Sequence, residues 1–143
     1  MVDVSEKKIT ERIAHAQAIV QLPTEVLEVL DGNELVTKKG PVFQTAIIAG
    51  VLAAKRTHDL IPLCHPLPLE DVQVKISINN NSAVVQASAK VTAKTGAEME
   101  ALTAATVAAL TVYDMCKALS HHIVISDVKL ISKTGGKKDF KSR

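Results

Sequence analysis

Acids and a lysine interrupt an apolar stripe in the segment from Thr95 to Ser120. The segment is rich in good helix formers, so we predict one long helix there. Residues three or four positions apart share a helix face. One such line mixes charged and apolar side chains: Glu100, Thr103, Val107, Leu110, Asp114 and Lys117. This mixture suits neither a plain core face nor a plain solvent face, which indicates a functional surface.

Asp114 and Lys117 lie three positions apart near the end of the predicted helix. An ordinary helix ion pair of this kind contributes only about 0.2–0.5 kcal/mol. The same pair could transfer protons, because a lysine stabilises a neighbouring carboxylate and a partly buried lysine loses its proton more readily. Such transfers commonly contribute about 10² to 10⁴ in rate. The residues alone leave both interpretations open.

The spacing of the two acids limits how they could act together. Glu100 and Asp114 are 14 residues apart, which corresponds to about 21 Å along a helix. Both could serve one small pocket only if the ligand were long, or if two copies of the chain shared their pockets.

A second stretch with chemical potential runs from Ala53 to Val72. Its three prolines end the preceding helix and favour a stiff, extended connection. Between two of them lie Leu63, Cys64 and His65, and polar side chains on rigid backbone suit a ligand site. No second Cys-His cluster completes a zinc site. We therefore predict no metal site, and we expect Cys116 and the other histidines to be structural or solvated.

Three long segments resemble the signature segments of the molybdenum cofactor biosynthesis protein C family: AAKRTHDLIPLCHPL, KTGAEMEAL and VAALTVYDMCKA. The opening MVDVS and the closing ISKTGGKKDF are similar as well, so the resemblance covers nearly the whole chain. It implies an enzyme that converts (8S)-3′,8-cyclo-7,8-dihydroguanosine 5′-triphosphate to cyclic pyranopterin monophosphate with release of diphosphate. It also implies a homohexamer, a trimer of dimers with active sites at the dimer interfaces.

The resemblance also implies roles for single residues. Asp114 and Lys117 occupy the positions of a catalytic aspartate and lysine, and Lys39 and Lys133 those of two further active-site lysines. Lys39 is preferred over Lys38 because it directly precedes the glycine of KKGPVF. Which lysine acts as acid or base stays open. The residues expected to line the substrate are Leu63, Cys64, His65, Glu98, Met99 and Glu100. No cofactor is implied, although magnesium could accompany the triphosphate.

The composition favours a single domain over residues 1–143. Hydrophobic residues make up 47% of the chain, yet it has two Phe, one Tyr and no Trp, so the core must be built from Ala, Val, Leu and Ile. The apolar excess favours burial between subunits. Two cysteines without a secretory segment indicate reduced thiols in a cytoplasmic protein. No apolar run approaches the roughly 20 residues that a membrane span needs.

The order of elements predicts an α+β fold. Two strand–helix–strand crossovers around a central hairpin give a ferredoxin-like, four-stranded antiparallel sheet with helices packed on one face. Helices are expected at Glu25 to Leu30, at Val42 to Arg56 and in the long segment. Alternating residues predict strands at Ile13 to Leu22, Val72 to Ile78, Val85 to Val91 and Ile123 to Ile131.

The basic tail supports a competing hypothesis. Lys129 to Arg143 holds six basic residues against one acid, which suits either a solvated tail or an anionic partner. An RNA-binding ferredoxin-like module would use such a tail. It would also need aromatic residues on its sheet to stack bases, and the predicted strands contain none. We therefore favour the enzyme and expect no nucleic-acid partner.

Overall fold

The computed structural model describes residues 1–143. The helices are α1 (Thr24–Leu27), α2 (Val42–Ala54), α3 (Thr57–Leu60) and α4 (Glu98–Cys116). The long strands are β1 (Thr10–Gln21), β5 (Asp71–Asn79), β6 (Ser82–Ala93) and β7 (Val124–Thr134). The short strands are β2 (Leu30–Asp31), β3 (Glu34–Thr37), β4 (Gly40–Pro41) and β8 (Phe140–Lys141).

The main sheet is antiparallel and has the strand order β5-β6-β1-β7-β8. The central strand β1 pairs with β6 along its whole length. Its pairing with β7 shifts register after His15 and again after Gln17. Strands β2, β3 and β4 form a separate small sheet before α2. This small sheet carries the chain from α1 to the beginning of α2.

The mixed α+β class with an antiparallel sheet is confirmed, but the prediction of four strands is wrong. The fifth strand, β8, lies in the basic tail, where Phe140 pairs with Lys133. A strand of two residues is too short to show alternation. The segment was therefore interpreted only as a basic tail. The predicted helix from Glu25 to Leu30 ends at Leu27. The small sheet was missed because its strands have only two to four residues.

Helices α2 and α4 cover one face of the main sheet, and the core lies between these two layers. Most of its side chains are small, as the composition predicted. The sheet contributes Ala14, Ala16, Ala18, Val20, Val85, Ala87, Ala89 and Val91, and α4 contributes Ala101, Ala104, Ala105, Ala108, Ala109 and Val112. No helix combines the length and the apolar character that a membrane crossing requires.

The two long helices are in close contact at Gly50. A β-carbon on Gly50 would lie 2.9 Å from the backbone oxygen of Ala104 and 3.3 Å from the β-carbon of Ala108. Glycine is therefore required here by packing rather than by backbone conformation. The contact fixes the middle of α2 against the middle of α4, so that the start of α2 lies beside the end of α4.

Candidate active site

Three charged side chains meet at the carboxyl end of α4. Lys39 Nζ donates to Asp114 Oδ2 and to the backbone oxygen of Asp114, both at 3.1 Å. Lys117 Nζ lies 3.3 Å from the other carboxylate oxygen, Oδ1. One carboxylate thus bridges two ammonium groups, and all three side chains are about half exposed. The structure brings Lys39 to Asp114, whereas Lys38 is exposed and makes no such contact.

The electrostatics of this charged trio (Lys39, Asp114 and Lys117) favour an ionised carboxylate. The hydrogen bond from Lys39, followed by the one from Lys117, lowers the pKa of Asp114. Asp114 therefore stays negative at pH values where a free aspartate begins to be protonated. Two lysines against one acid leave the trio with net positive charge, which suits an anionic group such as phosphate.

A cavity of about 320 Å³ lies at the amino end of α4. Its volume is at the lower end of the range for small-molecule sites. The stiff segment after α3 forms one wall and the first turn of α4 forms another. The cavity is lined by all six residues expected to contact the substrate: Leu63, Cys64, His65, Glu98, Met99 and Glu100.

The amino-terminal segment forms a further wall of this cavity. His65 Nε2 lies 2.8 Å from the backbone oxygen of Val2. A carbonyl oxygen only accepts, so Nε2 carries the hydrogen and, in the neutral ring, Nδ1 is left as an acceptor. Val4 and Lys7 also line the cavity. Lys7 was not among the predicted site residues, although the MVDVS segment beside it is one of those that resemble the family.

Glu100 is the buried acid of the cavity, with 4% of its surface exposed. Burial raises the pKa of Glu100, its own backbone amide partly opposes the rise, and the charge of Glu98 adds to it. The pKa of the Cys64 thiol is also raised, by burial first and by Glu100 second. A neutral thiol is a weak nucleophile, so this environment does not activate Cys64 for covalent chemistry.

Lys133 reaches the edge of the cavity from β7. Its Nζ lies 3.0 Å from Glu98 Oε1, and the β1–β7 pairing sets Lys133 opposite Ala14. Arg12 shares a small depression with Glu98 and Lys133. Arg12 was not among the predicted site residues, because a single arginine beside a predicted strand is usually solvated. Together, Arg12 and Lys133 place positive charge in this depression, which shares Gly96 and Glu98 with the cavity.

The predicted site residues therefore form two clusters. The charged trio lies at the carboxyl end of α4 and the cavity at its amino end, about 21 Å away along the helix. The stripe that indicated function runs between them, from the buried Glu100 and Thr103 to the exposed Leu110 and Asp114. Within one chain, no side chain joins the two clusters.

The remaining candidate residues lie outside both clusters. Cys116 is fully buried in the core, where burial first and Glu34 second raise its pKa to about 11. Both cysteines are free thiols. His58 lies 3.4 Å from Asp59, and His15 borders a wide depression of about 520 Å³ on the open face of the sheet. No group of three or more His, Cys, Asp or Glu side chains converges as metal ligands would.

The fold and the two clusters define a small α+β protein with separate acid–lysine groups suited to an anionic small molecule. The model of the MoaC family matches residues 1–136. The chain belongs to the MoaC family, which confirms the resemblance seen in the signature segments.

Three relatives show how much of the chain is shared. Molybdenum cofactor biosynthesis protein 1 of Dictyostelium discoideum is 51% identical over 96% of this chain, which spans 24% of that protein. The molybdenum cofactor biosynthesis bifunctional protein of Synechocystis sp. is 51% identical over 97% of this chain, which spans 42% of that protein. The cyclic pyranopterin monophosphate synthase of Xanthomonas axonopodis pv. citri is 49% identical over 98% of this chain and is covered over 86% of its own length.

Glu100 should make stability depend on pH. Its raised pKa means that the folded state binds the proton more tightly than the unfolded state. Below the ordinary glutamate pKa of about 4.3 the group is neutral in both states and costs nothing. As the pH rises from that value through the pKa of Glu100 in the folded state, the buried carboxyl becomes charged and destabilises the fold. This destabilisation persists at higher pH. The stability of Glu100→Gln relative to the native chain should therefore increase as the pH rises above the ordinary glutamate pKa.

Urea denaturation at several pH values measures this difference, with about 1.4 kcal/mol expected for each unit of pKa elevation. The exposed Glu25 provides the control, because Glu25→Gln changes a side chain that folding does not bury and should alter stability little. A Glu100→Gln difference in stability that does not change with pH would contradict the burial argument.

Proposed function

We propose that the chain is a cyclic pyranopterin monophosphate synthase. It converts (8S)-3′,8-cyclo-7,8-dihydroguanosine 5′-triphosphate to cyclic pyranopterin monophosphate and diphosphate. The observation that carries this proposal is the clustering itself: six of the site residues line one cavity, and the charged trio joins Lys39, Asp114 and Lys117. Membership of the MoaC family and the printed name of the Xanthomonas relative support the same activity.

The proposed reaction needs two kinds of chemistry. Rings of the substrate must open and close through proton transfers. A hydroxyl derived from the ribose must then attack the α-phosphorus, losing its proton to a base, while the bond from that phosphorus to the diphosphate oxygen breaks. Negative charge grows on the leaving diphosphate. Cations held close to the phosphates stabilise that charge, and such electrostatic stabilisation is usually the largest catalytic contribution.

The charged trio suits the proton transfers. An ionised Asp114 can accept a proton, and Lys117, held 3.3 Å from it, can donate or return one. Lys39 lies beside the same carboxylate, and its ammonium group can bind a phosphate oxygen or protonate a leaving oxygen. Lys133 supplies the corresponding cation at the cavity. In this proposal, each cluster contributes one of the two phosphate-binding lysines.

The cavity suits recognition of the base and sugar portion. Leu63 and Met99 supply apolar surface, whereas His65 and Glu100 supply polar groups that can hydrogen-bond to the ligand. Burial raises the pKa of Glu100, so its charged form is disfavoured in the cavity. The cavity residues thus bind and orient the substrate, and the lysines act on its phosphates and protons.

We propose that one active site is completed by two chains. The cavity is small, the charged trio is half exposed, and about 21 Å of helix separates them. A second copy that brings its trio to the cavity of the first would unite both clusters around one triphosphate. Exposed apolar residues on the outer helix surface, such as Ile48, Leu52 and Leu110, are available for subunit contacts. The proposed assembly is a homohexamer, a trimer of such dimers.

The proposed enzyme uses its own side chains and no resident cofactor. Arg12, Lys39, Lys117 and Lys133 provide the positive charge that a triphosphate requires. Any magnesium ion would arrive bound to the triphosphate and belongs to the substrate. The two free thiols fit the proposed cytoplasmic location, where cysteines stay reduced.

The alternative of an RNA-binding module is weaker. Phe140 in β8 is the one aromatic residue in the main sheet, and it lies at the edge. Stacking modules place two or three bases on aromatic residues of the sheet. The open face here carries His15, Lys75 and Gln86 instead. These side chains provide charge and hydrogen bonds but no stacking platform.

Activity on the cyclised GTP intermediate tests the proposal directly. The purified chain is incubated with that intermediate under anaerobic conditions, and the products are then oxidised and examined for a pterin. We expect pterin and diphosphate to form in equal amounts. Absence of both products, with a correctly assembled protein, would contradict the proposed activity.

Shared sites predict complementation between two inactive variants. Glu100→Ala disables the cavity and Asp114→Ala disables the charged trio, so each homo-oligomer should be inactive. A mixed dimer retains one site with both clusters intact. Mixing the variants under conditions of subunit exchange should therefore restore a measurable part of the activity, up to about one quarter if the subunits mix at random. No recovery despite proven exchange, followed by native mass spectrometry, would contradict shared sites.

Lys117 can be tested with two substitutions. Methionine keeps the apolar stem but removes the ionisable atom, so Lys117→Met should lower turnover by about 10² or more. Arginine keeps the charge but does not release its proton at ordinary pH. If Lys117 transfers a proton, Lys117→Arg should be nearly as inactive as Lys117→Met, whereas a purely electrostatic role predicts substantial rescue.

Turnover on the cyclised intermediate distinguishes these outcomes, and thermal unfolding checks that the fold is intact. A surface ion pair would contribute less than about 1 kcal/mol to stability. Turnover like that of the native chain in Lys117→Met would remove Lys117 from the mechanism.

A further inference from the structure

Helix α2 begins without a cap of its own. Its N-cap residue is Pro41, which makes no side-chain hydrogen bond to the first turn. The first backbone amides of a helix have no partner within the helix and need acceptors from elsewhere. Proline has no side-chain acceptor, so another residue must supply them.

Glu34 supplies these acceptors from strand β3. Its Oε1 accepts from the backbone amide of Phe43 at 2.7 Å, and its Oε2 accepts from that of Gln44 at 3.1 Å. Oε1 also accepts from the amide of Leu35 at 2.8 Å. A carboxylate is favourable at this position because helix amino ends carry partial positive charge, and hydrogen bonds to an ionised acceptor are strong.

The residues between Glu34 and Phe43 form a small closed loop. Strands β3 and β4 pair Val36 with Pro41 and Thr37 with Gly40. The Glu34 carboxylate ties the base of this loop to α2. Lys39 lies at the tip, where its backbone amide donates to Thr37 Oγ1 at 3.2 Å.

The closed loop sets where the Lys39 ammonium group can reach. A left-handed backbone at Gly40, with φ of +107°, turns the chain at the tip. From there Lys39 Nζ reaches both Asp114 Oδ2 and the Asp114 backbone oxygen at 3.1 Å. No other carboxylate accepts a hydrogen bond at the base of the loop. The fully buried Leu35 holds strand β3 in the core next to Glu34.

We infer that Glu34 is a positioning residue for Lys39, because its carboxylate closes the loop that holds the Lys39 ammonium group against Asp114. Glu34 makes no hydrogen bond to the charged trio, so it acts through the backbone rather than on the substrate. The inference rests on the proposed function only in taking Lys39 as a residue of the reaction. An ordinary helix cap would stabilise α2 without any specific effect on Lys39.

A double-mutant cycle separates positioning from simple stabilisation. Glu34→Ala should lower kcat by about tenfold in the native background, since small displacements of a reacting group are costly. In a Lys39→Ala background the same change should lower the residual kcat by less than about twofold, because the group that it positions is already absent. Glu34→Gln keeps one acceptor oxygen but no charge, so its kcat should lie between that of the native chain and that of Glu34→Ala. Glu34→Gln replaces Glu34→Ala in the cycle if Glu34→Ala does not fold.

A second measurement does not depend on turnover. The rate at which Lys39 is acylated by a small amine-reactive reagent, followed by mass spectrometry, should rise in the Glu34 variants because the ammonium group is no longer held against Asp114. Glu25→Ala, an exposed glutamate on α1, is the matched control and should leave both kcat and Lys39 acylation unchanged.

Two results would overturn the inference: an equal loss of kcat in both backgrounds, or unchanged acylation of Lys39 in the Glu34 variants. Failure of the proposed function looks different. In that case the native chain forms no pterin, and the acylation rates still decide whether Glu34 positions Lys39.

Discussion

Close packing of small side chains between α4 and the sheet is the constraint on which the rest of this structure depends. Alanines from β1 and β6 meet alanines from α4 in the buried core, so the helix lies close to the sheet with few voids. Gly50 allows the same close approach between α2 and α4. A helix held so firmly along its length is a rigid support, and its two ends carry the two clusters of predicted site residues.

The two ends of α4 give similar acids opposite properties. At the carboxyl end, lysine hydrogen bonds lower the pKa of Asp114, and Lys39 also occupies a backbone oxygen in the last turn, where helices leave carbonyls without partners. At the amino end, burial raises the pKa of Glu100. Carboxyl groups whose environments push their pKa values apart are suited to different acid–base roles. One rigid helix thus holds one carboxyl group whose pKa is lowered and another whose pKa is raised.

The predictable parts of the fold are those with a long repeating pattern. The alternation in β5 and β6 and the helix formers of α4 each span nine residues or more, enough to show period and length. The two-residue strands β2, β4 and β8 were missed. Such strands are specified by the neighbours with which they pair, and the pairing partners are remote or follow a turn. Of these, only β8 belongs to the main sheet, and its omission is why four strands were predicted where the sheet has five.

The sequence by itself determined the family and the small-residue core, and it supplied the predicted site residues, because these depend on local patterns and on long signature segments. Only the tertiary structure decided how the residues group: Lys39 with Asp114, Lys133 with Glu98, and the cavity apart from the charged trio. Contacts between residues that lie far apart in the chain depend on how the layers pack, and one-dimensional spacing does not encode that packing. Glu34 could not be predicted for the same reason. Its hydrogen bonds to the start of α2 form only because β3 folds back beside the helix.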